Sequence, residues 1–161
     1  MSESNPAVQD FYPEDVAHCF GCGRLNEAGH RLKTVWEGEE LVSRFVPEPY
    51  HTAIPGYVYG GLIASLIDCH GTGGAAAAAL RREGRMIGDG EAPRFVTASL
   101  KVEYLKPTPL GPELEIRGRV SEITDRKVIL ESTLSAQGAV TARGKVVAVR
   151  MPEHMISQNR G

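Results

Sequence analysis

A long run of small residues constrains the fold of this chain more than any other segment. It reads "YGGLIASLIDCHGTGGAAAAAL" over residues 59–80 and predicts one helix from about residue 60 to residue 80 or 82. Gly71, Gly73 and Gly74 each cost about 1 kcal/mol relative to alanine in a helix interior. Tertiary packing must compensate for that cost. We therefore expect a sheet that approaches the helix backbone closely.

The second half of the chain predicts strands. In "RFVTASLKVEYL", apolar residues at positions 96, 98, 100, 102 and 104 alternate with polar residues at positions 97, 99, 101 and 103. This period of two is typical of a half-buried strand. Three further strand-like stretches follow after short turns: "ELEIRGRV", "VILESTLSA" and "VTARGKVVAVRM". Long strands with short connections favour an antiparallel meander.

Before the helix, "RLKTVWEGEELVSRFVP" predicts a hairpin that turns at "EGEE", and "EPYHTAIPG" predicts a loop. One early helix combined with consecutive strands gives an α+β fold, with the helix packed on one face of an antiparallel sheet.

The length of 161 residues favours one domain over residues 1–161, in which residues 1–15 form a loose N-terminus with a short helical turn near residues 13–17. A net charge of -2 gives no sign of nucleic-acid binding. The polar start lacks the features of a signal peptide, and Asp68 and His70 interrupt the most apolar stretch, which argues against a membrane span. We expect a cytoplasmic protein that binds neither nucleic acid nor membrane.

Asp68 stands in the middle of the predicted helix, between Ile67 and Cys69. A carboxylate there is costly to desolvate unless a partner binds it or the chemistry uses it. Helical spacing places it on one face with three other small or polar residues, Gly61, Ser65 and Thr72. Asp68 is therefore a candidate catalytic group, and the alternative is a buried structural acid capped by Ser65, Thr72 or a neighbouring backbone amide.

Gly60 and Gly61 lie where the helix should begin. The first turn of a helix has backbone N–H groups without partners and the positive end of the helix dipole. Glycine lets a carbonyl oxygen approach those groups, so the pair is a candidate oxyanion hole, in which each donor contributes roughly 2.7–4 kcal/mol in known cases. The alternative is a helix start packed tightly against a loop.

Three segments resemble the hotdog-fold acyl-CoA thioesterases, in the branch related to phenylacetate-pathway enzymes. They are "CFGCGRLNEAGHRLK", "PGYVYGGLIASLID" and "VTASLKVEYLKPTPLG". The resemblance implies a hotdog fold, in which an antiparallel sheet wraps one long central helix. It also implies a homodimer or a dimer of dimers, with two sheets joined edge to edge and active sites at the interface. The family's histidine before the glycine pair is Tyr59 here, and the position nearest to an upstream asparagine of some relatives is Ala53.

The function that the resemblance implies is hydrolysis of a small or medium acyl-CoA. Asp68 would act as general base or nucleophile, and the amides of Gly60 and Gly61 would form the oxyanion hole. One alternative is a hotdog protein that binds an acyl-CoA, or another small acyl ligand, without turnover. A third and weaker reading is a dehydratase, in which His70 would pair with the acid.

Thr97 is a candidate for positioning the attacking water or the Asp68 carboxylate. The alternation places it opposite the apolar row of Val96, Ala98 and Leu100. If that row packs on its own helix, Thr97 must reach Asp68 across a dimer. The alternative is an ordinary exposed threonine of a strand.

The remaining candidate site residues would bind substrate. Tyr59, Ser65, Thr72 and His51 would line the site, although a histidine such as His51 is more often a packing residue. The phosphates of coenzyme A would meet basic residues, for which the alternative is a solvated surface: Lys106, Arg126, Lys127, Arg143 and Lys145.

No metal and no cofactor are expected. Cys19 and Cys22 form a single C-x-x-C pair beside His18, whereas a structural zinc site usually takes four ligands from two such pairs. The resemblance suggests that this pair belongs to a structural turn before the first strand.

Overall fold

The computed structural model describes residues 5–157 and confirms the α+β architecture, one long helix against an antiparallel sheet. Two short 3₁₀ helices come first, at Val8–Phe11 and Glu14–Val16. The remaining elements are β1 Thr34–Glu37, β2 Glu40–Phe45, α1 Gly60–Arg82, β3 Phe95–Tyr104, β4 Leu114–Ile123, β5 Lys127–Ala136, β6 Ala139–Arg150 and α2 Glu153–Ser157.

The sheet has the order β1-β2-β4-β5-β6-β3, and every neighbouring pair is antiparallel. The predicted hairpin is confirmed, because β1 and β2 turn at Gly38 between the paired residues Glu37 and Glu40. The predicted meander holds for β4, β5 and β6. It is wrong for β3, which pairs with β6 at the edge of the sheet rather than with β4.

The connection between β3 and β4 explains this difference. Residues 105–113 contain three prolines, which lack the N–H groups that a tight hairpin turn would use. The segment instead runs beside the loop that precedes α1. The Val58 N–H donates to the Thr108 carbonyl, and the Leu110 N–H donates to the Gly56 carbonyl, both at 2.9 Å. This path carries the chain past the start of the helix to the other side of the sheet.

The glycines of α1 let the helix lie directly on the sheet, as the sequence predicts. A Cβ atom on Gly71 would come within 2.5 Å of Val146 Cβ, and one on Gly74 within 2.4 Å of Leu130 Cδ2. The missing side chains therefore allow the close approach, and the requirement for glycine is stricter at Gly71, where a Cβ atom would meet a branched Cβ atom rather than the end of a leucine. Across residues 5–157, none of the helices combines the length and the apolarity that a membrane crossing requires.

The N-terminal segment differs from the loose terminus expected over residues 1–15. Residues 1–4 lie outside the described part of the chain, but Val8, Gln9 and Tyr12 are buried. The Gln9 side chain bonds both the hydroxyl and the backbone N–H of Thr34 at 2.8 Å. The burial has a clear cause, because Gly73 of α1 leaves the space that the Gln9 amide occupies.

The same polar network continues into the core and ends at His70. The Thr34 and Ser43 hydroxyls lie 2.9 Å apart, and Ser43 Oγ lies 2.8 Å from His70 Nδ1. Complete burial lowers the pKa of His70 to about 3, so the ring is neutral at ordinary pH. His70 is therefore a structural residue of the core, and this removes the basis of the dehydratase reading.

The packing of α1 on the sheet makes a stability prediction. Gly71→Ala should lower the free energy of unfolding by about 1–2 kcal/mol, because the new methyl group meets the stiff Val146 near the backbone of β6. Gly74→Ala is the matched comparison. Its nearest contacts are the mobile ends of Leu130 and Leu41, so the gain of about 1 kcal/mol in helix propensity should largely offset the crowding. Urea unfolding of both variants measures this difference, and a Gly71→Ala protein as stable as the wild type would contradict the account.

Candidate active site

A β-bulge in β3 brings Thr97 to Asp68 within one chain. Thr97 pairs with Ala148 of β6, whereas Ser99 pairs with the adjacent Val147, so Ala98 is the extra residue. An extra residue reverses the alternation of side chains along a strand. Before the bulge, Thr97 lies on the helix face of the sheet; after it, Leu100 does, opposite the buried Val146. The condition under which Thr97 would have to reach Asp68 across a dimer therefore does not hold, because the bulge divides the apolar row between the two faces of the sheet.

The contact between these two residues is a direct hydrogen bond. Thr97 Oγ1 donates to Asp68 Oδ1 at 2.5 Å. Asp68 is half-buried, and its pKa is raised chiefly by desolvation. The hydrogen bond from Thr97 and the nearby charge of Arg94 act in the opposite direction and favour the carboxylate. The site thus holds an acid whose basicity exceeds that of an ordinary aspartate.

Ser65 and Thr72 do not cap Asp68, which was the alternative role considered for the acid. The Thr72 side chain is buried and donates to the Cys69 carbonyl at 3.3 Å. Ser65 lies under the N-terminal segment, where its hydroxyl is 3.4 Å from the position of a Cβ atom on Gly21. Among the described residues, the side chain that hydrogen-bonds Asp68 is therefore Thr97 alone.

The start of α1 has open backbone donors. The N-cap residue Tyr59 makes no side-chain cap, and within residues 5–157 the N–H groups of Gly60 and Gly61 have no hydrogen-bond acceptor. Tyr104 of β3, which sequence reasoning did not include in the site, donates its hydroxyl to the Gly60 carbonyl at 2.7 Å. The start of α1 is thus a helix N-terminus with unsatisfied backbone donors.

Tyr59, which stands where the resemblance expects a histidine, folds back over the glycine pair. A Cβ atom on Gly61 would lie 2.0 Å from the Tyr59 hydroxyl oxygen. Gly61 must therefore be glycine for Tyr59 to occupy this position. The Tyr59 ring is half exposed, and it lies close enough to Tyr104 to help raise the pKa of that phenol, after the larger effect of desolvation.

His51 packs behind the start of the helix and does not enter the site. Its Nδ1 accepts the Glu48 N–H at 2.9 Å, and its ring contacts His30, Phe45 and Tyr50. Its carbonyl accepts the Tyr59 N–H at 2.9 Å. His51 therefore fixes the residue that begins α1, which is a positioning role rather than substrate binding.

The basic candidates lie at different ends of the molecule. Lys106 follows Tyr104 and lies in the segment that runs beside the start of α1. Arg126 and Lys127 lie near the helix C-terminus, where Arg82 pairs with the neighbouring Asp125 at 3.2 Å. A helix of 23 residues is about 34 Å long, so these two cannot share a site with Gly60 of the same chain. Arg143 pairs with Glu103 at 2.7 Å on the strand surface.

A cleft of the single chain lies away from the candidate site. It is lined by Trp36, Arg81 and Met86, at the C-terminal end of α1. The candidate residues Asp68 and Thr97 lie instead on the first half of α1 and on the exposed edge strand β3. A site at an exposed sheet edge becomes enclosed only when a second chain covers that edge.

A cluster of three cysteines lies beside Asp68, and sequence reasoning missed it. The sulfur atoms of Cys19, Cys22 and Cys69 all lie within 4.8 Å of one another. The pKa of the Cys19 thiol is held well below its usual value by hydrogen bonds from the Cys22 and Cys69 thiols, and backbone N–H groups of Cys22 and Gly21 add to this effect. In the sequence, the sign of this cluster is a third cysteine, Cys69, on the predicted helix. Its contact with the C-x-x-C pair depends on the packing of segments that are distant in sequence, so local patterns do not reveal it.

Comparison with known proteins identifies related chains. A family model described as the thioesterase superfamily matches residues 55–143. A thioesterase superfamily protein from Shewanella loihica PV-4, known from its crystal structure, is 50% identical in sequence with a TM-score of 0.66. That likeness covers 85% of this chain and 96% of the Shewanella chain.

Two further relatives extend the comparison. The acyl-coenzyme A thioesterase THEM4 of Xenopus laevis is 38% identical over 88 residues, which is 55% of this chain and 34% of the frog protein. The chain thus spans about a third of the length of the curated relatives it matches. The E. coli PaaI protein from the phenylacetic acid degradation operon has a TM-score of 0.59 at 12% identity, covering 76% of this chain and 81% of that chain. This last likeness concerns the fold alone, and together these structures confirm the predicted hotdog architecture.

The bond between Thr97 and Asp68 makes a quantitative prediction. A double-mutant cycle with Thr97→Val and Asp68→Ala should give a coupling energy of about 1 kcal/mol in urea unfolding, because a hydroxyl donates to a partly desolvated carboxylate. Ser99→Ala is the matched control, since Ser99 lies beyond the bulge on the other face of β3. A coupling energy for Thr97 no larger than that for Ser99 would contradict the observed contact.

Proposed function

Since the chain belongs to the thioesterase superfamily, we propose that it hydrolyses the thioester bond of a small or medium acyl-CoA. The observation that carries this proposal is the half-buried Asp68 carboxylate, held by Thr97 on the helix whose N-terminal amides are open. Relatives named as acyl-coenzyme A thioesterases support the choice of substrate class.

Asp68 supplies the group that initiates the attack on the thioester carbonyl. As a general base it accepts a proton from water, which then adds to the carbonyl carbon; as a nucleophile it adds directly and forms an anhydride that water cleaves. In both routes coenzyme A leaves as the thiol and the acyl group leaves as the acid. The raised pKa of Asp68 supports the base role, since a more basic carboxylate takes the proton of water more readily.

The amides of Gly60 and Gly61 stabilise the negative charge that develops on the carbonyl oxygen. Both N–H groups lie at the positive end of α1 without an acceptor in the described part of the chain. A preorganised backbone donor of this kind contributes roughly 2.7–4 kcal/mol to the stabilisation of a transition state. Tyr104 supports the arrangement, because its hydrogen bond to the Gly60 carbonyl holds the first turn in place.

The length of the helix implies that one complete site needs two chains. Asp68 follows Gly60 by eight residues, which is about 12 Å along the helix axis. A carbonyl group must lie about 3 Å from both its attacking group and its oxyanion donors, so the two features of one chain cannot act on the same thioester. We therefore place the oxyanion hole of one chain against Asp68 of a second chain.

The edge strand β3 is the surface on which the second chain would pair. Within residues 5–157, β3 pairs with β6 on one side and with no strand on the other, and residues 97–101 on it are exposed in the single chain. The outward-facing N–H and C=O groups of this ten-residue strand form a template for another strand, and symmetric pairing of two such edges gives a closed dimer. This supports a homodimer, or a dimer of dimers, as the active assembly.

Lys106 is the basic residue best placed to meet a phosphate of coenzyme A, because it lies near the open start of α1. Arg126 and Lys127 take part only if the assembly brings them to the site of another chain. Tyr59 lies on the path to Gly61 and would contact the acyl group or the thioester.

A protein that binds acyl-CoA without turnover is the second candidate function. The position of Tyr59 favours it, because the phenol lies over Gly61 where the hole must admit a carbonyl oxygen. Release of free thiol from a panel of esters, from acetyl-CoA to decanoyl-CoA, separates the two functions. Binding of the esters with no thiol release above the uncatalysed rate would favour the binding protein.

Asp68→Asn tests the role of the acid. The amide oxygen still accepts the Thr97 hydrogen bond, so the fold and the affinity for coenzyme A should be retained while the basicity is lost. The rate of thiol release should fall by about 10²-fold or more. Asp125→Asn, which removes an exposed carboxylate at the far end of α1, is the matched control and should keep the wild-type rate. An Asp68→Asn protein of normal stability and full activity would leave this carboxylate without a catalytic role.

Two substitutions at Gly60 test the oxyanion hole. Gly60→Pro removes one backbone donor at the first position of the helix, where proline is well tolerated, and the backbone of Tyr59 at φ -67° and ψ 135° suits a following proline. Gly60→Ala keeps the N–H and places its methyl group 3.4 Å from the Tyr104 ring. The proline variant should lose about 10²–10³-fold in turnover while the alanine variant keeps most of it. Equal rates in both variants would show that the Gly60 amide does not bind the oxyanion.

A further inference from the structure

The three cysteine sulfurs have the spacing of a metal-ligand set. Cys19 Sγ and Cys69 Sγ lie 3.8 Å apart, and Cys22 Sγ lies within 4.8 Å of both. Zinc–thiolate bonds of about 2.3 Å at tetrahedral angles place neighbouring sulfurs about 3.8 Å apart. The side chains thus need little rearrangement to share one ion.

The backbone of the C-x-x-C turn is tightly closed around the pair. The Gly23 N–H donates to the Cys19 carbonyl at 2.7 Å. A Cβ atom on Gly21 would lie 2.2 Å from Cys69 Sγ, and one on Gly23 would lie 2.4 Å from the Cys19 nitrogen. Glycine at both positions lets the turn close around Cys19 and pack directly against Cys69.

We infer that Cys19, Cys22 and Cys69 bind one Zn²⁺ ion, which fastens the N-terminal loop to α1 beside Asp68. Binding replaces the three thiol protons, which are released to solvent, and forms three zinc–sulfur bonds. Thiolates are the soft ligands that Zn²⁺ prefers, and three of them leave one position of a tetrahedral ion for a water molecule.

The surroundings match the charge and the free position of such an ion. Three thiolates and Zn²⁺ carry a net charge of -1, and the half-buried Arg94 guanidinium lies close enough to all three sulfurs for its positive charge to act on them. The buried Tyr12, which is 2% exposed, lies close enough to Arg94 and the three cysteines for their charges to act on its phenol. Its hydroxyl has no hydrogen-bond partner in the described part of the chain and supplies a group to bond the metal-bound water.

The inference does not depend on the proposed hydrolysis. Its consequence is structural, since the ion would join a loop and a helix that are distant in sequence at the residue next to Asp68. The protein can therefore hydrolyse thioesters without binding zinc, or bind zinc without hydrolysing thioesters, and the two experiments distinguish these outcomes.

Metal binding is tested on the full chain prepared without a histidine tag, reduced and stripped with a chelator. Zn²⁺ should then bind with one ion per chain, release protons and raise the melting temperature. Co²⁺ should give the charge-transfer absorption of cobalt–thiolate bonds. This spectrum of the wild-type protein needs no substitution in the core, so it remains decisive even where a cysteine variant folds poorly.

Variants identify the ligands. Cys19→Ser, Cys22→Ser and Cys69→Ser should each weaken Zn²⁺ binding on the order of 100-fold or more and remove much of the cobalt–thiolate absorption. His18→Asn, which changes the exposed residue beside the pair, is the matched control and should bind as the wild type does. The inference is overturned if the reduced wild-type chain takes up no ion, if Co²⁺ binds without thiolate absorption, or if Cys69→Ser binds Zn²⁺ like the wild type.

Discussion

The close approach of α1 to the sheet is the constraint on which the rest of the structure depends. Gly71 and Gly74 leave room for Val146 and Leu130, so the helix backbone rests on the strands without a layer of large side chains between them. At this short separation, the carboxylate of Asp68 on one side of the helix reaches the hydroxyl of Thr97 on β3. A larger residue at Gly71 would press against Val146, lift α1 away from the sheet and break the contact from which the proposed chemistry starts.

The same helix also holds the N-terminal segment in place through two kinds of contact. Gly73 makes room for Gln9, whose amide joins the buried chain of hydroxyls that ends at His70. Cys69 meets the C-x-x-C turn on another side of the helix. Both contacts lie within five residues of Asp68 along α1. The segment that precedes β1 is thus part of the frame around the candidate site.

The run of small residues predicts the helix correctly, and alternation of apolar and polar residues predicts strands correctly, because a half-buried strand imposes a period of two on local sequence. Such patterns fail where one residue changes the register, as the bulge at Ala98 does for Thr97. They also fail for contacts between distant segments, such as the pairing of β3 with β6 and the meeting of Cys69 with Cys19. Asp68, Gly60 and Gly61 stood out in sequence because an acid and a glycine pair break the local pattern, whereas Tyr104 looked like an ordinary residue of a strand.

The central claim is that each active site combines Asp68 of one chain with the helix start of another, and mixed assemblies test it most directly. Asp68→Asn chains and Gly60→Pro chains are unfolded together and refolded as a mixture. If sites are shared between chains, each mixed dimer contains one site with both groups intact, and random pairing should restore about a quarter of the wild-type activity. If each site lies within one chain, no intact site can form. A mixture as inactive as its two components, with mixed dimers present by mass spectrometry, would contradict the account.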